Sequence, residues 1–349
     1  MSNARLGAFG ALCVARFREF YREPEVIFWS FIFPILLAGG LGLAFRNRPP
    51  EVLPVAVVSG PGAEALEKSI GASPLLHVSV MPEAAAARAL RLGKVALTVI
   101  PRVPEEAVAY RFDPSRPESE LARSRVDELL QRAAGRKDPL VAGEERVSEP
   151  GARYIDFLIP GIIGMNLLSG GMWGVGFSLV DMRIKKLLKR LVATPMYRSD
   201  FMLSIMVMRV GFMVIEVSFL LAFGRLLFGL PVRGSLLSVY ALGAMGSLSF
   251  GGLGLLLGSR ATRIEAVMGL MNAVSMPMFI VSGVFFSSER FPAAVQPLIR
   301  ALPLTAFLEA LRALLLEGAS LASQGPRLAV LVAWGLLSFV AGLRLFRWS

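Results

Sequence analysis

The chain has 349 residues, of which 54% are hydrophobic, and its mean hydropathy is +0.60. This composition is too apolar for a soluble protein of the same length and indicates a membrane protein. The formal net charge is +11, but residues 46–153 contain 16 Lys or Arg against 15 Asp or Glu, so the excess lies in the apolar remainder. That distribution is typical of a membrane-topology signal and argues against nucleic acid as a partner.

The chain contains one cysteine, Cys13, and one histidine, His77. A single cysteine excludes an intramolecular disulfide, and a single histidine leaves no His/Cys cluster that could hold zinc. The parts of a Ser/His/Asp site are missing as well. We therefore expect no metal, no bound cofactor and no catalytic residue in this chain.

Residues 1–24 predict an amphipathic helix that lies at the cytoplasmic membrane surface. Its apolar face would consist of Leu6, Phe9, Cys13, Phe17 and Phe20. A signal peptide is the alternative, but the apolar run is short, is followed at once by basic residues and lacks a clear small-residue cleavage site. We expect this helix to be retained.

Six apolar segments are long enough to cross a bilayer, which requires about 20 helical residues. They cover Val26 to Phe45, Tyr154 to Val180, Phe201 to Phe228, Leu236 to Leu257, Ala266 to Phe286 and Leu328 to Phe346. An even number of spans places both termini on one side. The tails and short loops of that side hold 14 bases against 6 on the other, which predicts cytoplasmic termini in the inner cell membrane.

The sequence predicts four parts: the interfacial helix, a first transmembrane helix at 25–45, an extracytoplasmic α/β domain at 46–153, and transmembrane helices 2–6 within 154–349. In the α/β domain, "VLPVAVVS" and "VALTVIP" resemble strands, whereas "GAEALEKSIG", "PEAAAARALRLG" and "SELARSRVDELLQRAAG" have helical patterns. The turn "SGPGAEAL" lacks the Lys-Ser/Thr of a phosphate-binding loop. We therefore expect no nucleotide site there.

A short basic helix is predicted at residues 182–195, between the second and third spans. Five apolar residues recur at helical spacing, Ile184, Leu187, Leu188, Leu191 and Val192, and five bases take the other face. Thr194-Pro195 ends the helix, because proline disfavours helical geometry in the residue before it and cannot continue the hydrogen-bond pattern.

The segment at residues 287–325, between the fifth and sixth spans, predicts an external hairpin. "FPAAVQPLIRALP" and "LTAFLEALRALLLEG" have helical patterns, but prolines and Gly318 bound them and each is too short to span. Re-entrant or interfacial helices fit these lengths. The predicted fold is therefore an α-helical multi-pass membrane protein with six transmembrane helices, an α/β domain between helices 1 and 2, and short re-entrant or interfacial helices between 5 and 6.

Polar residues inside the spans are candidates for a functional site, because they are costly in hydrocarbon and usually face a partner or a wet cavity. In the third span, Arg209 and Glu216 lie seven residues apart, on about the same helix face. Glu216 either forms a stabilising pair, with Arg209 or with a polar group of a neighbouring helix, or lines a transport path or a dimer seam. Asn166 and Asn272 are weaker candidates, better explained as hydrogen-bond partners between helices.

The order of several segments resembles the membrane subunit of ABC type-2 exporters over nearly the whole chain. These segments are "FREFYREPEVIFWSFIFPILL", "DFLIPGIIGMNLL", "LLKRLVATPMYRSDF", "GRLLFGLPVRGS" and "MPMFIVSGVFFSSERFPAAVQPLIRALPLTAFLEALRALLLEG". The resemblance implies a six-helix permease that dimerises and is driven by two cytoplasmic ATP-binding subunits. The chain has no G-x-x-x-x-G-K-[ST] motif, so ATP and Mg are expected on the partner subunit.

In such permeases the loop after the second span presents a coupling helix to the ATPase. Carried over to this chain, the implied coupling residues are Arg183, Lys186, Leu187, Leu188, Leu191, Thr194 and Pro195. The alternative is a basic anchor that only rests on anionic membrane lipid, and both roles are compatible.

These observations predict an ATP-driven exporter of a hydrophobic or amphipathic substrate, such as a lipid, drug, polyketide or glycan. The alternative is an ion- or proton-coupled carrier or channel, which usually has more intramembrane carboxylates or an internal repeat. A membrane-anchored receptor is disfavoured, because it needs only one or two spans.

Overall fold

The computed structural model describes residues 10, 14, 17, 18, 22–46, 52–102, 107–137, 153–192 and 198–346. Most of the interfacial helix predicted at residues 1–24 lies outside these residues. The chain forms two compact units, one of Met1–Arg46 with Val147–Ser349, and one of Asn47–Arg146. We call them the membrane unit and the α/β unit.

Six helices of the described residues are long and apolar enough to cross a membrane: Pro24–Ala44, Tyr154–Ile184, Leu203–Phe228, Leu236–Gly258, Ile264–Val281 and Ala322–Leu345. The predicted multi-pass fold with six spans is thereby confirmed. The fifth helix ends at Val281 instead of the expected Phe286, because Gly283 adopts a left-handed φ of +87° that cannot continue a helix. The sixth continuous α-helix covers Gly325–Leu345.

The first and second spans each contain a π-helical turn. The first consists of Pro24–Ile27, the π-turn Phe28–Ile32 and Phe33–Arg46. The second consists of Tyr154–Ser169, the π-turn Gly170–Val175 and Gly176–Ile184. A π-turn widens the helix locally and changes the usual hydrogen-bond pattern, so it alters which polar groups remain free. The third helix covers Arg198–Phe228 and the fourth Leu236–Gly258.

Glycines bring the second and fourth spans into close contact. A Cβ atom on Gly254 would lie 2.7 Å from the Gly171 carbonyl oxygen, and one on Gly258 would lie 2.9 Å from the Gly176 carbonyl oxygen. Any larger residue would push the two backbones apart. These two helices form the centre of the membrane unit, whereas only 17–22% of the residues of the first, fifth and sixth spans are buried.

The segment between the fifth and sixth spans is made of short helices. They are the 3₁₀ turns Ser288–Arg290, Ala293–Val295 and Ala322–Gln324, the α-helices Gln296–Arg300 and Pro303–Arg312, and the π-turn Ala313–Glu317. We call Pro303–Arg312 the hairpin helix. All its residues except Glu309 and Arg312 are buried, and it packs against the second, fourth and sixth spans.

The α/β unit contains a four-stranded sheet in the order β2-β1-β3-β4. The strands are β1 (Leu53–Val58), β2 (Leu76–Met81), β3 (Leu97–Arg102) and β4 (Ala107–Phe112). β1 pairs in parallel with β2 and β3, and β4 is antiparallel to β3. The three helices are Ala63–Gly71, Glu83–Arg91 and Pro117–Ala133. The two strands and three helices predicted for this region are all present.

Candidate functional site

The predicted coupling segment consists of two helices separated by a turn. The second span ends at Ile184, and a separate helix begins at Leu187 and ends at Val192. Between them, Lys186 has a left-handed φ of +56°, which breaks the continuous helix expected across Arg183 to Val192. We call Leu187–Val192 the coupling helix. Thr194 and Pro195 lie outside the described residues, as does the side chain of Leu191.

The apolar side chains of this segment point in two directions. Leu188 is 1% exposed and packs in a cluster with residues of the second, third and fourth spans and with Phe346. Ile184 and Leu187 are 46% and 37% exposed. Leu188 therefore anchors the coupling helix to the membrane unit, whereas Ile184 and Leu187 remain available to a partner or to lipid. The exposed Lys186 lies beside them.

Arg183 is bound inside the membrane unit. Its guanidinium donates hydrogen bonds to the carbonyl oxygens of Gly258 at 3.1 Å, Ser259 at 2.8 Å and Ala261 at 2.6 Å. These carbonyls lie at and just after the end of the fourth span, where a helix exposes unpaired acceptors and favours a cation. The structure thus places Arg183 in a link between the second and fourth spans, apart from the exposed surface of Ile184 and Leu187.

Arg209 and Glu216 form a buried ion pair in the third helix. Arg209 Nη1 lies 2.9 Å from Glu216 Oε1, and Nη2 lies 2.8 Å from Oε2, which is a two-pronged geometry. The side chains are only 7% and 2% exposed. The guanidinium also lies against Gly170, where a Cβ atom would be 2.5 Å from Nη2. The pair therefore joins two turns of the third helix and packs on the π-turn of the second span.

Asn166 and Asn272 lie in different surroundings. Asn166 Nδ2 donates a hydrogen bond of 2.9 Å to the carbonyl oxygen of Ser30, which lies in the π-turn of the first span. Asn166 is thus a hydrogen-bond partner between two helices. Asn272 lies on the exposed face of the fifth span. The four intramembrane polar residues therefore do not form one common site.

A second polar cluster, which the sequence interpretation did not single out, surrounds the hairpin helix. Arg312 Nη2 donates hydrogen bonds to the carbonyl oxygens of Phe157 at 3.1 Å and Gly283 at 2.5 Å, and the guanidinium lies 3.6 Å from the centre of the Phe157 ring. Glu309 pairs with Arg327 of the sixth helix at 2.9 Å. The available sequence signal was the i, i+3 spacing of Glu309 and Arg312 in an otherwise apolar helix.

The charge of Arg312 persists at neutral pH. Burial lowers the pKa of its guanidinium to about 10, and the nearby Glu309 carboxylate acts in the opposite direction. A pKa of that size still leaves the side chain almost entirely protonated at pH 7. Within the described part of the chain, no group of three His, Cys, Asp or Glu side chains is placed to hold a metal ion.

The sequence matches a family model described as "ABC-2 family transporter protein" over residues 24–344. It is 24% identical to a protein of Escherichia coli strain K12 named "Probable multidrug ABC transporter permease YbhS", in an alignment that covers 88% of this chain and 88% of the relative. The protein of the same name in Escherichia coli O157:H7 gives the same values.

Replacing Arg183 by glutamine should destabilise the membrane unit. The variant loses charged donors to three carbonyls at the end of the fourth span, a loss of about 2–4 kcal/mol. Lys185→Gln is the matched control, because Lys185 is an exposed base beside Arg183 whose ion pair with Asp181 contributes at most about 1 kcal/mol. Thermal unfolding of the purified protein in detergent should show a clearly larger decrease in Tm for Arg183→Gln. Equal decreases would contradict the assigned role.

Replacing Glu216 by glutamine should also lower the Tm, since it leaves the Arg209 cation buried without its counter-charge. Removing one member of a buried pair typically costs about 3–5 kcal/mol, whereas replacing both by apolar residues is often neutral. The double variant Arg209→Met, Glu216→Leu should therefore recover most of the Tm lost by Glu216→Gln. If the double variant is no more stable than the single one, the pair is not the source of the effect.

Proposed function

Because the chain belongs to the ABC-2 family of transporter proteins, it is a membrane permease driven by a separate ATP-hydrolysing subunit, and we propose that it exports a hydrophobic or amphipathic substrate from the cytoplasm. The observation that carries the proposal is the position of the second span. Its first turns contact the hairpin through Arg312 and the Phe157 carbonyl, and its last turn leads into the coupling helix. One helix thus connects two opposite ends of the membrane unit.

We propose that the coupling helix and both termini face the cytoplasm of a cell with the protein in its inner membrane. The support is the excess of 14 bases over 6 on the side of the coupling helix. The α/β unit and the hairpin then lie outside. In this orientation the hairpin helix, too short to span and almost fully buried, is a re-entrant element of the external side.

The ATP-binding subunit, which carries ATP and Mg in this proposal, docks on the exposed side of the coupling helix. Ile184 and Leu187 supply the apolar contact, and Lys186 and Arg190 supply positive charge beside it. Leu188 holds the helix to the bundle, so a displacement of the docked subunit would reach the second span. Leu191, Thr194 and Pro195 are assigned to the same surface by the family resemblance. Contact with anionic lipid in the absence of the partner is compatible with this role.

A second copy of the permease is proposed to cover the exposed face of the fifth span. Asn272 lies on this face, and an amide directed at lipid is unfavourable unless another helix provides a partner. Gly269 is also exposed, and a Cβ atom there would meet nothing within 4 Å. Such a small residue lets another helix approach closely. Two copies related by a two-fold axis would enclose a path for a substrate larger than one bundle admits.

The substrate class is proposed from the apolar spans and from the relatives named as multidrug permeases. Lipids, drugs, polyketides and glycans carried on lipids share an amphipathic character that suits a path at the membrane interior. The α/β unit, whose residues lie between the first and second spans in the sequence, is proposed to be external.

Reconstitution with its ATP-binding subunit tests the direction and energy source of transport. Liposomes containing both proteins should move an amphipathic fluorescent drug away from the side on which ATP is supplied, and should not do so with ADP. The purified complex should contain two permeases and two ATP-binding subunits by mass. Gradient-driven transport by the permease alone, without nucleotide, would instead identify an ion-coupled carrier.

Replacing Leu187 by aspartate should weaken docking of the ATP-binding subunit and so reduce the stimulation of ATP hydrolysis by substrate. A carboxylate enters the apolar docking cleft of that subunit only at a large desolvation cost. We expect substrate-stimulated ATP hydrolysis to fall by at least about tenfold, which corresponds to a loss of about 1.4 kcal/mol or more in the free energy of docking. Leu92→Asp is the control, since Leu92 is an exposed leucine of the α/β unit. Unchanged Tm for both variants, together with unchanged coupling in Leu187→Asp, would contradict docking at this surface.

A further inference from the structure

A polar cavity lies between the hairpin helix, the start of the second span and the start of the sixth helix. Its volume is about 840 Å³, within the range of small-molecule sites. Three bases and three acids contribute to its wall: Arg300, Arg312, Arg327, Glu289, Glu309 and Glu317. Phe157, Ala306 and Val330 add apolar surface. We call this cavity the hairpin chamber.

Arg312 supplies a cation to the wall of the chamber without a carboxylate of its own. Its Nε atom is buried and has no hydrogen-bond partner, and the hydrogen bonds of Nη2 go to neutral carbonyls. The nearest acid on its own helix, Glu309, directs Oε2 to Arg327. Among the described residues, Arg312 has no ion pair. A partly buried cation of this kind favours an anionic ligand group.

The acids of the chamber have a different position. Glu289 and Glu317 are exposed, and within the described ranges neither carboxylate pairs with a base. Their charge favours a cationic group at the opening of the chamber. The wall thus offers the half-buried guanidinium of Arg312, and at its exposed side the two carboxylates of Glu289 and Glu317 outnumber the one exposed base, Arg300. Apolar side chains lie next to these groups. The sixth helix, which continues from this wall, exposes Val332, Leu336 and Leu337.

We propose that the hairpin chamber binds the headgroup of a zwitterionic amphiphile, with the phosphate or carboxylate beside Arg312 and the ammonium beside Glu289 and Glu317. Acyl chains would then lie along the exposed apolar face of the sixth helix. The ligand is either a zwitterionic phospholipid of the surrounding bilayer or a free small zwitterion, since both present the same headgroup chemistry. Binding here requires neither ATP nor a particular direction of transport, so it stands apart from the proposed export function.

Native mass spectrometry of the full chain in detergent tests this site. Phosphatidylethanolamine and phosphatidylglycerol with identical acyl chains differ in whether the headgroup carries an ammonium. We expect about tenfold tighter binding of phosphatidylethanolamine, the effect of roughly one charge-assisted contact. Soluble phosphoethanolamine is the second probe. If millimolar phosphoethanolamine displaces the lipid, the headgroup alone is sufficient for binding. If the lipid binds and is not displaced, the ligand is a phospholipid of the bilayer. Equal binding of the two lipids overturns the proposal.

Two variants locate the binding. Arg312→Gln should weaken phosphatidylethanolamine binding about tenfold, whereas Arg344→Gln, at an exposed base near the other end of the sixth helix, should not. Because Arg312 also holds two carbonyls, Glu317→Gln provides a test at an exposed position that leaves these contacts intact. It should lower the preference for phosphatidylethanolamine about threefold without changing phosphatidylglycerol binding. The same loss in Glu265→Gln, an exposed acid of the fifth span, would show that the site is elsewhere.

Discussion

Close contact between the second and fourth spans is the constraint on which the rest of the membrane unit depends. Gly171 and Gly176 on one helix meet Gly254 and Gly258 on the other, so backbone touches backbone without intervening side chains. In a lipid solvent the hydrophobic effect does not draw helices together, and close packing of small residues takes its place. Arg183 fixes the same pair of helices at their ends, where its guanidinium binds carbonyls that the fourth helix leaves free.

The hairpin and the coupling helix are both attached to this central pair. Leu188 seats the coupling helix in a cluster formed by neighbouring spans, and Arg312 ties the hairpin helix to the first turns of the second span. Leu188 is buried next to the exposed Leu187, whereas Arg312 is half-buried on a helix whose other residues, except Glu309, are buried. The two attachments lie at opposite ends of the second span, so this span links the hairpin helix to the coupling helix.

The spans, the strands β1 and β3 and the helices of the α/β unit could be predicted from the sequence, because each depends on local hydrophobic periodicity. The edge strand β4 was not assigned, since "AVAYRF" ends in polar and aromatic residues and follows two glutamates. The break at Lys186 results from a left-handed backbone conformation, which the residue types at this position do not indicate. The carbonyl partners of Arg183 are 75–78 residues distant and those of Arg312 are 29 and 155 residues distant, so spacing along the chain could not identify them.

The length of the central helix has a consequence for where its last turns lie. Tyr154–Ile184 contains 31 residues, which at 1.5 Å per residue extend about 46 Å, whereas the hydrocarbon layer is about 30 Å thick. Tilting absorbs only part of this difference, since typical tilts are about 20°. The last turns, where Asp181 and Arg183 replace apolar residues, therefore extend into the headgroup region and the water beyond it. The third helix, Arg198–Phe228, has the same number of residues, so both helices that flank the coupling helix are longer than the hydrocarbon layer is thick.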